Sequence, residues 1–463
     1  MSLSNSEITH LLLAFVLLLI AAHSLGQLFV HLRQPRVAGE ILGGLLLGPT
    51  LLGLLLPEWH ATVFAGATTK TGLAIAYELG LLLLMYCSGA QLRSIIARGE
   101  GKATVGIAAL GNVVPFLAGL AFVALYDTGR FLGPARNRSS FALVFALAMA
   151  ITSIPVISRI MADLGILGTR FARIVLSVAV LEDVLVYVVL NVALALVVPP
   201  STTTFGLPGM LGIDGAGVIA NGYYVVLTLT FFALPAKFGP GLVQRLSNMP
   251  GNVLYRSSPI AFQLTMVLGL SGLAAFLGVS PIFGALVAGI LAADLHDDVE
   301  RARQTIQSYS YAFFIPLYFA VVGLRLDLVR HFEPLFFAFF LLFACSVKSV
   351  SCYAGARMTG ETRAGARNLA VALNARGGPG IVLASVAFDA RIIDEGFYTV
   401  LIMLALVTSV LAGSWLEAIL RRGGGLLTDD AQSRVGSAGL RAADEPPAIQ
   451  PRPVVLREPR GKP

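Results

Sequence analysis

The stretch 176-LSVAVLEDVLVYVVL-190 decides the class of the fold. It is apolar for about four helical turns, long enough to cross most of a bilayer's hydrocarbon. In its middle stand two adjacent carboxylates, Glu182 and Asp183. A charge at mid-membrane costs about 2.5–3.5 kcal/mol on insertion scales. Neighbours on a helix point about 100° apart, so both acids find polar surroundings only beside an internal cavity or a crossing of helices. One reading is a site for a cation and protons. The other is a structural pair, each acid matched to a buried Lys or Arg. Intramembrane carboxylates are functional by default, so the first reading leads.

Composition agrees with a membrane setting. The chain has 463 residues, of which 56% are hydrophobic and only 13% charged, whereas soluble domains carry about a quarter charged residues. Near-continuous apolar runs of this length are helices, not barrel strands. Thirteen are expected, within about one: 8–30, 37–56, 71–91, 103–126, 140–161, 172–198, 219–236, 259–277, 280–293, 309–324, 333–356, 366–388 and 397–420. The ninth is short enough to be re-entrant or tilted. The first follows the uncharged start MSLSNS and reads as a retained span rather than a signal peptide.

The net charge of +7 does not suggest nucleic acid, because Lys and Arg lie in short loops. One set of alternate loops, containing Arg36, Arg170, Arg363 and Arg421, holds eighteen of them; the other, containing Lys70, Arg130, Arg325 and Arg391, holds seven. That places the N-terminus outside and the C-terminus in the cytoplasm of a cell membrane. Cys87, Cys345 and Cys352 lie in or beside spans without metal-ligand spacing, so no disulfide framework, resident metal or cofactor is expected. Residues 1–422 form the membrane domain, and the Pro-, Gly- and charge-rich tail 423–463 reads as disordered.

The loop 199–218, PPSTTTFGLPGMLGIDGAGV, lies near the middle of the chain. Six expected spans precede it, one connects, and six follow, so the segments at about 8–198 and 259–420 enter the membrane from opposite sides. This is the arithmetic of an inverted repeat. The fifth span of each set is interrupted. In 143-LVFALAMAITSIPVISRIMA-162, Thr152 and Ser153 precede Pro155; in 370-AVALNARGGPGIVLASVAF-388, Gly377, Gly378, Pro379 and Gly380 cluster. Breakers at matching places point to a transporter's site, because unwound backbone frees carbonyls for a cation. The plainer reading of each is a simple kink.

Lys348, deep in 334-PLFFAFFLLFACSVKSVSCYAGARMTG-360, needs an acid partner, and Glu182 or Asp183 is available. The pair is either structural or opens when a cation binds. Arg376 either caps a half-helix C-terminus or neutralises an acid. Glu40, Glu78, Asn112, Gln263 and His23 read as structural polar groups. The string 269-GLSG-272 matches a rhomboid-type serine protease motif but needs a histidine base on a nearby span, and His296 and His331 lie in loops. No enzyme is expected.

Together the motifs resemble the second monovalent cation:proton antiporter family, the sodium/hydrogen exchanger-like group that includes Kef-type potassium efflux systems. They are QPRVAGEILGGLLLGPTLLG at 34–53, ELGLLLLMYCSGAQL at 78–92, ITSIPVISRIMADLGILGTRFARIVLSVAVLEDV at 151–184, SPIFGALVAGILAA at 280–293, FFIPLYFAVVGLRLDL at 313–328, the Lys348 segment and LNARGG at 373–378. The resemblance implies a sodium/proton antiporter fold of thirteen helices, a homodimer, and a core domain moving past a dimerisation domain like an elevator. It implies that Asp183 is the carrier acid, that Thr152 and Ser153 join the cation site through backbone, and that Lys348 is the core-domain lysine. Glu182 stands where relatives usually carry Asp, Asn or Gln, and an acid there implies the electrogenic pattern. The run RGGPG lacks the acid many relatives place after the Arg-Gly, and no Kef-type nucleotide-binding domain is expected. The function expected is exchange of Na⁺, K⁺ or Li⁺ for H⁺. Proton-driven export of a small organic metabolite, or a non-transporting sensor or channel, are the alternatives.

Overall fold

The computed structural model describes residues 4–32, 34–96, 101–197, 206–210, 251–292, 297–422 and 424–427, with scattered positions between 222 and 249. The expected connector 219–236 and loop 199–218 fall mostly outside the described residues, as does the tail beyond Leu427. The described chain is helical. Its main elements are α1 (Asn5–His31), α2 (Arg36–Leu47), α3 (Ala67–Ile96), α4 (Gly101–Leu125), α5 (Arg138–Ala150), α6 (Ile154–Asp163), α7 (Arg170–Ala195), α8 (Pro259–Leu277) and α9 (Pro281–Ala292). Then come α10 (Asp297–Tyr309), joined through a π turn at Ser310–Phe314 to α11 (Ile315–Leu324), α12 (Pro334–Met358), α13 (Arg363–Ala372), α14 (Gly377–Asp389) and α15 (Glu395–Arg421).

Among the described residues, ten segments are long and apolar enough to cross a membrane. Two further expected spans appear as the shorter apolar helices α5 and α9. At twelve residues, α9 rises about 18 Å, short of a hydrocarbon core about 30 Å thick. Side chains cap several starts: Thr169 accepts from the Ala172 amide at α7, Thr362 from Gly365 at α13, and Asp394 from Phe397 at α15. Loops tie one end of the bundle together. The Gly133 amide donates to the Ile392 carbonyl and Asp394 to Phe131, and Thr68 bonds Glu7. This end, which carries the N-terminus, is called the N-face and the other the C-face.

The helices sort into two groups by packing. Helices α1, α2, α3, α8, α9, α10 and α11 pack among themselves as a scaffold; α4 to α7 and α12 to α15 pack among themselves as a core, and the main contact between groups is α3 on α7. The scaffold makes the internal repeat visible. A Cβ on Gly44 of α2 would strike the Ala320 carbonyl of α11, and one on Gly323 of α11 would strike the Ile41 carbonyl of α2. In the other half, Gly289 of α9 meets Tyr86 of α3, and Gly89 of α3 meets Leu286 of α9. Gly39 lies against Leu25 of α1 as Gly284 lies against Leu270 of α8. The spacings match residue for residue: Gly39 to Gly44 and Gly284 to Gly289 are both five apart, and each glycine meets the residue three before its partner glycine. Small residues permit the close backbone approach on which helix packing in lipid depends.

The two interrupted spans cross in the core. The breaks lie at 151–153 and 373–376, between α5 and α6 and between α13 and α14. Pro155 and the run Gly377, Gly378, Pro379 therefore open the second half-helices instead of forming the gaps. Proline is tolerated there because its missing amide has no helical partner in a first turn. Its effect falls one turn back: the Ile151 carbonyl loses the donor that residue 155 would otherwise supply.

Candidate cation and proton site

The site is assembled where the crossing meets α7. Glu182 is fully buried and Asp183 is 2% exposed. Lys348, fully buried on α12, pairs with Glu182 through Nζ and Oε1 at 2.8 Å. The same ammonium donates to the Gly111 carbonyl at 3.0 Å and to the Ala150 carbonyl. An ammonium has three protons, and here each has an oxygen.

Arg376 caps the end of α5. Its Nε donates to Ala148 O at 3.2 Å; Nη2 donates to Met149 O at 3.3 Å and Ala344 O at 3.1 Å; Nη1 donates to Asn374 O at 3.3 Å and Asn374 Oδ1 at 3.1 Å. All five guanidinium donors are thereby engaged. Arg376 and Lys348 together cover the last three carbonyls of α5, where the helix dipole is negative and orphan carbonyls collect. Neither cation is matched by hydrogen bonds to Asp183.

Thr152 and Ser153 hold the crossing itself. The Thr152 hydroxyl donates to the Leu373 carbonyl at 2.6 Å, and the Ser153 amide donates to the Ala375 carbonyl at 2.6 Å. The Ser153 hydroxyl accepts from the Val156 amide at 3.3 Å and the Gly378 amide at 3.0 Å, so one side chain caps both second half-helices. Gly377 donates to Ser409 at 3.2 Å and Arg376 to Thr408 at 3.3 Å, which anchors the second break to α15. Both hydroxyls bond backbone, and the interruption at 151–153 also leaves carbonyl oxygen that a cation can use.

Among the buried oxygens without a hydrogen-bond partner in the described residues are Glu182 Oε2 and Asp183 Oδ1 on α7 and Asn112 Oδ1 on α4. Buried oxygens are otherwise almost always satisfied, and a bare carboxylate oxygen at this depth calls for a proton or a cation. Asn112 follows Gly111, whose carbonyl holds Lys348. Tyr187, one turn after Asp183, turns its hydroxyl to Met85 Sδ at 3.9 Å across the seam with α3.

The other polar groups are local. His23 meets the Ala312 carbonyl at 2.9 Å and Arg36, which also pairs with Glu40 at 3.0 Å. Gln263 pairs with Tyr86. Ser271 of the GLSG string is buried on α8, while His331 is held by Glu395 at 2.9 Å in an N-face loop and His296 lies outside the described residues.

Comparison with known proteins places this architecture. A family model described as sodium/hydrogen exchanger, transmembrane, matches residues 11–422. The chain is 29% identical over 413 residues to the Na⁺/H⁺ antiporter NhaS4 of Synechocystis sp., covering 87% of this chain and 95% of that protein. It is 26% identical over 420 residues to the K⁺/H⁺ antiporter 1 of Saccharomyces cerevisiae, covering 88% of this chain but 48% of the yeast protein, so it spans about half of that relative's length. The structure of the sodium proton antiporter MjNhaP1 of Methanocaldococcus jannaschii at pH 8 superposes with a TM-score of 0.56 at 14% identity, over 89% of this chain and 97% of that one. The fold is thus that of the sodium/proton antiporters, and the chain belongs to the sodium/hydrogen exchanger family.

Proposed function

We propose that this protein is a secondary antiporter that exchanges a monovalent cation, Na⁺ or K⁺, for H⁺ across the cell membrane. One observation carries the reading: the Asp183 carboxylate is buried with an oxygen that has no hydrogen-bond partner among the described residues, while the adjacent acid, Glu182, is held by Lys348. Asp183 takes a proton or a cation by turns. Competition for the same oxygens couples the two fluxes, since occupancy by one excludes the other. Glu182 Oε2 completes the cation's surroundings, with carbonyl oxygen from the break at 151–153. Because both acids are sealed from water here, loading requires the core to move past the scaffold, and a seam carried mainly by α3 on α7 favours an elevator-like shift. The loop-charge balance supports an N-face that looks outward and a C-terminus in the cytoplasm. The family resemblance supports a homodimer through the scaffold.

The test is cation-induced proton movement in everted vesicles or proteoliposomes, with Na⁺, Li⁺ and K⁺ between pH 6 and pH 9. Wild type dissipates a ΔpH on addition of its ion, Asp183→Asn abolishes the response, and the responding ion names the substrate. The apparent affinity for that ion falls as pH falls, because protons occupy the same oxygens. No response to any alkali cation from folded protein overturns the assignment and turns the search to a small organic substrate.

A further inference from the structure

The seam between scaffold and core carries a second polar cluster, close to the N-face and away from Asp183. Asp389 ends α14 in the core, on the same interrupted span as Arg376. Two scaffold residues hold it. Arg325, the C-cap of α11, donates from Nη1 to Asp389 Oδ1 at 2.9 Å, and Tyr77 of α3 donates its hydroxyl to Asp389 Oδ2 at 3.0 Å. The Arg325 guanidinium stacks over the Tyr77 ring at 4.4 Å, which fixes the two donors relative to each other. Two further links cross the seam toward the same face. The Tyr398 hydroxyl of α15 donates to the Val322 carbonyl at 3.3 Å, and the Ser280 amide at the start of α9 donates to Asn191 of α7 at 3.3 Å. At the C-face the described link is a 3.3 Å contact between Gln34 and Ser414.

We propose that Asp389, Arg325 and Tyr77 form a latch that holds the N-face closed and sets how often the site opens on that side. The inference rests on the alternating-access reading above. A core that slides or tilts toward the N-face must part Asp389 from both scaffold donors at once. The three are positioning residues: they touch no transported ion, and they act through the balance of conformations.

Ser385 supplies a reporter. It lies one turn before Asp389 on α14 and is fully buried, and Ser385→Cys exchanges one small side chain for another. The full chain, with Cys87, Cys345 and Cys352 replaced by Ala, is reconstituted and treated from the N-face side with a membrane-impermeant methanethiosulfonate. With the latch intact, labelling is slow and varies with the saturating alkali cation. Asp389→Asn and Arg325→Gln raise the rate about tenfold, Tyr77→Phe raises it less, and Asp389→Glu stays near the parent. The pair Arg325→Asp with Asp389→Arg returns the rate toward the parent, which separates a latch from a loss of folding. Monodisperse variants that label at the parent rate, in a parent whose labelling responds to cation, overturn the latch alone. A parent that never responds to cation, with variants likewise unchanged, overturns alternating access together with the latch.

Discussion

Glu182 and Asp183 are one residue apart, yet they differ in what surrounds them. Glu182 has a fully buried lysine at 2.8 Å, and that lysine has two more carbonyl oxygens to hold it in place. Glu182→Gln therefore strands an ammonium without its counter-charge. Removing one partner of a buried pair costs about 3–5 kcal/mol, whereas replacing both with apolar groups is often neutral. The purified Glu182→Gln protein is expected to melt well below wild type. Addition of Lys348→Met is expected to recover most of the loss, as read by thermal denaturation in detergent. Recovery is expected in stability, not in transport. Asp183→Asn removes no ion pair and is expected to melt near wild type, so its loss of exchange reads as chemistry.

The half-helices make a different demand. Two interrupted spans leave four helix ends inside the membrane, and each end has orphan amides or carbonyls that lipid cannot satisfy. The protein meets this with few side chains: Arg376 and Lys348 cover the end of α5, Thr152 covers the Leu373 carbonyl, and Ser153 caps α6 and α14 together. Ser153→Ala removes both caps in one substitution. A lost N-cap costs about 0.5–2 kcal/mol, so the stability loss should exceed that of a single-cap change such as Thr362→Ala at α13. Comparing the two melts tests whether the crossing depends on the shared hydroxyl. Equal losses would mean that one of the two bonds contributes little.

The whole molecule is a scaffold and a core, each assembled from both halves of the chain. The scaffold's repeat predicts equivalent defects at equivalent glycines. Gly44→Ala and Gly289→Ala each drive a methyl into the backbone of the facing helix, at Ala320 and Tyr86 respectively, and both should reduce folded yield sharply. Gly269→Ala on α8 meets nothing within 4 Å and should be neutral. Monodisperse yield in mild detergent reads all three. A strong effect at only one of the two repeat positions would show that the halves do not share the load.

The amino-acid sequence by itself determined the solvent and the class of fold, and it singled out the acid pair Glu182 and Asp183. Those follow from local quantities. Runs of apolar residues must be helices in lipid, Pro and Gly interrupt them at matching places, and an acid pair in such a run is too costly to be incidental. The order of motifs was also enough to point to the family that the comparisons then established. What only the tertiary structure decided was which group answers which. Lys348 lies 166 residues from Glu182, and no periodicity says that it takes this acid and leaves Asp183 without a cation. Arg376 is surrounded by five oxygens on α5, α12 and the second break, which no local pattern assigns to it. The position of the breaks shifted by one to four residues, because a proline removes its own amide but frees a carbonyl a turn earlier. The repeat was legible only as a count of crossings, since its evidence is a set of backbone contacts between helices far apart in the chain. No sequence pattern pairs Asp389 with Arg325 and Tyr77, and only the packing of core on scaffold brings them together.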